Sequence, residues 1–219
     1  MKGCFITFEG TEGCGKSTQV KLLADRLRAL GHRVRLLREP GGTPIGEEIR
    51  HTLKHSQNNH AMTSETELLL MNASRAQLVR EIIRPALADG EIVLSDRFYD
   101  STIAYQGYGR GLDLEKVKAV IDFAVGDTRP ELTLFVHVPP EVSAERLRSR
   151  QATLPLELQR DRFEEADRQF FDRVAKGYEA IFQAEPGRVK FINGVQPVEA
   201  VCARIWEVVA PVLPKIGRW

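Results

Sequence analysis

The chain has 219 residues, 42% apolar and 28% charged, enough for one soluble domain with a full core. Thirty-one Lys and Arg against thirty Asp and Glu leave a formal charge of +1, which supplies neither a nucleic-acid surface nor a polybasic membrane anchor. No run is long and apolar enough for a transmembrane helix, and the N-terminus leads straight into a strand pattern without a signal peptide. Three cysteines without metal-ligand spacing (Cys4, Cys14, Cys202) point to a reducing cytoplasm.

In chain order, Gly3 to Glu9 reads as a buried strand followed by a glycine turn, and a helix begins near Lys16 with Val20, Leu23, Leu27 and Leu30 on one face. Gly31 ends that helix and Val34 to Leu37 forms the next strand. Pro40-Gly41-Gly42 breaks it, and Thr43 caps a helix whose first turn carries Glu47. Ser64 with Glu67 has the spacing of a capping box ahead of a helix reaching about Arg80. Ile92 to Leu94 is a strand running into Ser95-Asp96-Arg97, with helices from Ser101 and from Leu114.

Leu132 to Val138 is another strand, followed by a helix holding Arg146, Arg148 and Arg150. A polar connection over Gln151 to Gln159 leads into a long helix from about Arg162. Val189 to Ile192 is a last strand, and Pro197 to Val212 a closing helix. This alternation predicts an α/β fold, a parallel five-stranded sheet flanked by helices on both faces, in one domain over residues 1–219.

Gly10-Thr11-Glu12-Gly13-Cys14-Gly15-Lys16-Ser17 satisfies G-x-x-x-x-G-K-[ST] between a predicted strand and a predicted helix. Glycines let backbone N–H groups turn toward phosphates, and the following helix N-terminus adds unpaired donors. The stretch Gly10 to Thr18 is therefore the expected ATP-contacting loop of a P-loop NTPase fold. Lys16 supplies charge to the β- and γ-phosphates, and the Ser17 hydroxyl is an expected magnesium ligand. The Cys14 thiol, beside Lys16 and the helix N-terminus, is expected to have a lowered pKa and to react with thiol reagents. No N-K-x-D guanine signature occurs.

Four further segments complete a pattern: Arg38-Glu39-Pro40-Gly41-Gly42-Thr43, Asn72-Ala73-Ser74-Arg75-Ala76, Asp96-Arg97-Phe98 with Ser101-Thr102, and Ala104-Tyr105-Gln106-Gly107. With the P-loop, these resemble the bacterial thymidylate kinases from Phe5 to about Val201. The resemblance implies transfer of the γ-phosphoryl of ATP to dTMP in the synthesis of dTTP, with Mg²⁺, in a homodimer. Leu68, Leu69 and Leu70, apolar on more sides than one core needs, fit a subunit contact.

The resemblance also implies roles. Asp96 holds magnesium with Ser17, and Arg97 forks onto the dTMP phosphate. Arg50 and Arg75 touch that phosphate or the pyrimidine edge, and Thr102 and Gln106 face the base. Tyr105 lies against the deoxyribose, Glu12 near the sugar, and Glu39 belongs to the same pocket. Related enzymes often have a phenylalanine four residues before the Arg75 position; Met71 stands there, a thioether that packs on an aromatic ring with less fixed geometry.

One branch of the family carries an arginine inside the P-loop, where this chain has Gly13. A mobile lid over about residues 146–163 is expected to compensate, with Arg148, Arg150 and Arg162 as its catalytic candidates beside Arg146 and Arg160. The rival reading is a deoxynucleoside kinase with Glu39 as general base on a 5′-OH; the cations Arg50, Arg75 and Arg97 favour a phosphorylated acceptor.

Overall fold

A computed structural model describes residues 3–56, 58–151 and 168–214, the side chains of residues 150 and 151 excepted. Five strands, β1 (Cys4–Glu9), β2 (Val34–Arg38), β3 (Ile92–Asp96), β4 (Leu132–His137) and β5 (Val189–Asn193), form one sheet in the order β2-β3-β1-β4-β5. Every pairing is parallel, with Phe8 opposite Asp96 on one side of β1 and Leu134 on the other. The predicted sheet is thus the observed one.

Helices cover both faces, as a parallel sheet requires. On one side Val20, Leu23 and Leu27 of α1 (Lys16–Ala29) pack with Val201, Ile205 and Val209 of the C-terminal helix (Val198–Val209) onto Cys4, Ile6 and Phe8. On the other side Phe5 and Val93 meet Leu78 of α3 (Ser64–Leu78) and Val117 and Ile121 of α6 (Leu114–Val125). Strand alternation sends Thr7 and Glu9 to this second face with Phe5. Buried polar groups in β1 therefore need partners, and they find them near the carboxyl end of the sheet. The edge strand β2 carries exposed arginines, of which Arg35 forks onto Glu91, in keeping with charge on an open edge.

α2 (Pro44–His55) begins as read from sequence: the Thr43 side chain accepts from the Gly46 N–H at 3.0 Å. The cap of α3 differs. Thr63, one residue earlier than Ser64, accepts from the Thr66 N–H, and Glu67 is buried rather than folded back on the helix start. The helix also continues past Arg80 through a wide π turn, Val79–Ile83, into α4 (Arg84–Ala88). There Pro85 has no N–H to donate, which loosens the regular ladder. A second π segment, Ile103–Gly109, follows the short α5 (Tyr99–Thr102) and carries Tyr105 and Gln106. The arginine-rich helix is α7 (Pro140–Gln151), and α8 (Arg168–Ala184) returns along the sheet before β5, leaving the C-terminal helix as α9. The expected polar connection and the start of the long helix lie outside the described residues.

Candidate active site

The P-loop follows β1 at the carboxyl edge of the sheet, between β3 and β4, where open α/β folds bind ligands. Gly10 has φ 137°, and a Cβ there would stand 2.2 Å from the Val136 carbonyl oxygen. Gly13 has φ 73°, a left-handed conformation, with the Ser143 carbonyl 2.9 Å from where a Cβ would be. These positions admit glycine because neither the backbone angle nor the space suits a side chain. Lys16, which opens α1, donates from Nζ to the carbonyls of Gly10 (2.9 Å) and Thr11 (2.8 Å), so its ammonium lies over the loop. Cys14 is 2% exposed, its sulfur 3.5 Å from Lys16 Nζ; the fold encloses this thiol.

Ser17 Oγ donates to Asp96 Oδ2 at 2.8 Å. A hydroxyl and a carboxylate, adjacent and exposed at the mouth of the loop, are the hard oxygen donors that suit Mg²⁺, an ion that keeps several waters and takes its other ligands from phosphates. Among the described residues no three His, Cys, Asp or Glu converge as a closed metal cage.

Arg97 follows Asp96 and holds φ 74°, left-handed for a non-glycine residue. Its N–H donates to the Phe8 carbonyl at 2.9 Å, and its side chain runs back to the P-loop, where Nη2 reaches Glu12 Oε1 at 2.8 Å. The Tyr105 hydroxyl donates to the other Glu12 oxygen at 2.6 Å. Burial opposes ionisation of Glu12, but Arg97 and Lys16 outweigh it and hold the carboxyl below its usual range. Burial pushes the Tyr105 hydroxyl well up, and it stays protonated.

Sequence reading missed a carboxylate beneath this pair. Glu9, fully buried at the end of β1, accepts from the Phe98 N–H at 2.7 Å, from the Ser101 N–H at 3.3 Å and hydroxyl, and from the Tyr178 hydroxyl at 3.0 Å. Arg97 Nη1 donates to Ser101 Oγ and Tyr178, so Glu9 steadies the partners of Arg97 from below. Burial first, then the nearby charge of Asp100, raises its pKa from an ordinary 4.5 to about 7. An acid at an inward position of an otherwise apolar strand was the available signal.

Arg75 is almost wholly buried. Nε and Nη2 both donate to Glu39 Oε2 (2.9 and 2.7 Å), Nη1 to Asn72 Oδ1 and Thr102 Oγ1 (2.9 Å each), and Nη2 also to the Phe98 carbonyl at 3.2 Å. All five of its N–H groups are thereby engaged. Glu39 Oε1 is buried and meets no donor among the described residues, and burial outweighs Arg75 to raise the Glu39 pKa.

A pocket opens above this network. Of the residues expected around the acceptor, Glu12, Glu39, Met71, Arg75, Arg97, Thr102, Tyr105 and Gln106 line it, and Pro40, Lys54 and Ser101 join them. Arg50 is not in the wall; its Nη1 donates to the carbonyl of the wall residue Pro40 at 2.9 Å.

Of the lid arginines, Arg148 lines a larger cavity that Thr11 of the P-loop shares. Arg146, held back as a candidate by sequence reading, contacts the loop, donating to the Gly13 carbonyl at 3.4 Å and to that of Gly194 at 3.1 Å. The Arg150 side chain, Arg160 and Arg162 lie outside the described residues, as does most of the expected lid.

A parallel sheet with this loop, a Ser-Asp oxygen pair and a cationic pocket beside it defines a P-loop phosphotransferase. The family model described as thymidylate kinase matches residues 8–205. The chain is 48% identical to a thymidylate kinase of Syntrophotalea carbinolica over 92% of its length and 93% of that protein. It is 45% identical to one of Pseudomonas savastanoi pv. phaseolicola over the whole of both. The crystal structure of thymidylate kinase from Ehrlichia chaffeensis superposes with a TM-score of 0.75 at 32% identity, covering 96% of this chain and 99% of that one. The chain belongs to the thymidylate kinase family.

Proposed function

We propose that the protein transfers the γ-phosphoryl group of ATP to the phosphate of dTMP, giving dTDP and ADP. The observation that carries this reading is the Arg97–Glu12 ion pair, which joins the wall of the acceptor pocket to the P-loop across 2.8 Å. A phosphate held by Arg97 then lies next to the loop that holds the donor phosphates. The acceptor is itself a phosphate, largely dianionic at neutral pH because its second pKa is about 6, and needs no general base. The task of the protein is to bring two polyanions into line and neutralise them.

In this reading Gly10 to Thr18 wrap the donor phosphates, with the ammonium of Lys16 at the β- and γ-oxygens. Ser17 and Asp96 would hold Mg²⁺, which supplies charge neutralisation to the donor phosphates when bound. Arg97 and Arg50 serve the acceptor phosphate. Tyr105, its hydroxyl tied to Glu12, sets a flat face against the deoxyribose. Met71, Arg75, Thr102 and Gln106 surround the base. Because Arg75 spends its donors on Glu39, Asn72, Thr102 and Phe98, its first role is to hold those walls in place.

Arg148, with Arg150 and Arg162, supplies the cations that Gly13 does not, from a lid over about residues 146–163 of a single domain. We also assign a homodimer, supported by Leu69 and Phe123, 58% and 84% exposed on the adjoining helices α3 and α6. A cytoplasmic site agrees with the cysteine pattern, and among the described residues no helix is long and apolar enough to cross a membrane.

ADP release from ATP-Mg²⁺ with dTMP, thymidine, dUMP, dCMP, AMP and GMP as separate acceptors tests the reading. Strong turnover with dTMP and little with thymidine is expected. Turnover with thymidine instead would transfer the chain to the nucleoside kinases, with Glu39 as base, a role its pairing with Arg75 does not favour.

A further inference from the structure

Glu67 has no solvent exposure although it is a charged residue in the first turn of α3, and nothing in the phosphoryl-transfer machinery uses it. It lies one helical turn before Met71 and two before Arg75, on the helix face that borders the acceptor pocket. Its Oε1 accepts from Gln106 Nε2 at 2.9 Å and from Arg110 Nε at 3.1 Å, and its Oε2 from Arg110 Nη2 at 3.0 Å. Arg110 is itself stacked over the Phe170 ring at 4.5 Å. The carboxylate is therefore fixed from two sides.

A primary amide has a donor end and an acceptor end, and its surroundings decide which points where. A carboxylate oxygen accepts only, so the end of Gln106 that faces Glu67 is the NH₂. The carbonyl end of Gln106 meets no donor among the described residues, and Gln106 lines the acceptor pocket with Thr102, Tyr105 and Met71. Turning the amide over would set its oxygen against the carboxylate, acceptor against acceptor, in a site from which water is excluded.

We propose that Glu67 is a positioning residue for base selection: it locks the Gln106 amide so that the pocket offers an acceptor, admitting a pyrimidine with an N3–H and rejecting one with a bare N3. This rests on the dTMP reading and adds the source of its discrimination against cytosine. Thymine and uracil carry N3–H and can donate to the fixed carbonyl. Cytosine presents a lone pair at N3, which meets the carbonyl lone pairs, and the amide cannot turn to meet it while Glu67 holds its other end. The neighbouring 5-methyl group plays no part, so dUMP should behave as dTMP does toward this device.

The test compares kcat/KM for dTMP, dUMP and dCMP in wild type, E67Q and R110K. In E67Q the new amide can donate as well as accept, and Gln106 is free to turn. The dTMP to dCMP ratio is expected to fall by about tenfold or more, the scale of one buried mispairing relieved, with the dTMP to dUMP ratio unmoved. R110K keeps Glu67 and a cation beside it, and should hold the dTMP to dCMP ratio within about twofold even if its Tm drops. Should E67Q not fold because Arg110 loses its counter-charge, E67Q/R110Q removes both charges together and must show the same fall. An unchanged ratio in the folded Glu67 variant, or an equal fall in R110K, overturns the proposal. No turnover of dTMP by wild type would overturn the underlying reading instead, and this proposal with it.

Discussion

Arg97 and Glu12 form one ion pair across two elements: the guanidinium leaves the end of β3 and its Nη2 stops 2.8 Å from the P-loop carboxylate. Neither is deeply hidden, with side chains 17% and 18% exposed, so the pair stays reachable by an anion. Glu12 fixes the arginine without covering it, while Ser101 and Tyr178 hold the other Nη.

Substituting either partner should therefore strike the acceptor and spare the donor. Arg97→Lys removes the planar fork and should lower kcat/KM for dTMP by about 10²–10³-fold. Glu12→Gln keeps the shape and loses the counter-charge, with an expected fall of about tenfold. The KM for ATP should stay within a few-fold in both. Steady-state kinetics with each substrate varied in turn checks this; an ATP effect as large as the dTMP effect would assign the pair to the donor site.

Gly13 explains why this P-loop brings no arginine of its own. At φ 73°, with a would-be Cβ 2.9 Å from the Ser143 carbonyl and 3.3 Å from Leu147, the position resists any side chain while α7 stands where it does. Gly13→Ala should cost about 1–3 kcal/mol in denaturant unfolding, and Gly13→Arg should not exceed wild-type turnover. A Gly13→Arg enzyme that is both stable and faster would show that α7 yields easily.

Much of this was legible before the fold. The sheet followed from alternating apolar runs, and the P-loop from a motif in its confirming context. Eight of the nine expected acceptor-site residues line one pocket, because the segments that carry them sit at strand ends or on α3 and the π segment, which that edge gathers. What stayed hidden depends on long-range contacts. Ser64 and Glu67 have capping-box spacing, yet Thr63 takes the cap and Glu67 is drawn inward by Gln106 and Arg110, more than thirty-five residues away. Glu9 looked like the last residue of a strand, and only the turn after β3, the start of α5 and the packing of α8 give it Phe98, Ser101 and Tyr178. The π segment over Tyr105 and Gln106 has no composition signal, since one or two wider turns are too short to shift the apolar spacing visibly from that of an α-helix. That Arg75 also ties Glu39, Asn72, Thr102 and the Phe98 carbonyl together was not legible either, because residue type does not reveal a side chain's partners.

Arg188 and Asp100 tie the acceptor side of the sheet to its far edge. The guanidinium forks onto Asp100 at 2.7 and 2.8 Å and also reaches Thr133 at 2.7 Å, with Asp100 1% exposed. Asp100 is in α5 next to Ser101, so the pair anchors the turn that supports Arg97. Arg188→Met leaves a buried carboxylate without its cation and should cost about 3–5 kcal/mol, read as a lower urea midpoint at unchanged m-value. Arg188→Lys should recover part of it. A loss below about 1 kcal/mol would mean water replaces the guanidinium freely.

Glu9 should leave its mark on the pH dependence of stability. Its pKa rises on folding from 4.5 to about 7, so between those values the folded protein holds a proton that the unfolded chain has released. Where the native state binds more protons, stability falls as pH rises. The contribution is thus fully present below about pH 4.5 and is lost as pH climbs through about 7, opposite in sign to that of Glu12, whose depressed pKa lowers stability as the pH falls. Tm measured from pH 5 to 8 should contain a downward term that Glu9→Gln removes, since an amide cannot ionise and its carbonyl can still accept from Phe98. The same variant should lose the upper part of any activity rise that tracks Glu9 ionisation, because Ser101 and Tyr178 would then hold Arg97 alike at every pH. If Tm of wild type and Glu9→Gln run parallel across that range, Glu9 does not titrate there, and its place under Arg97 is only structural.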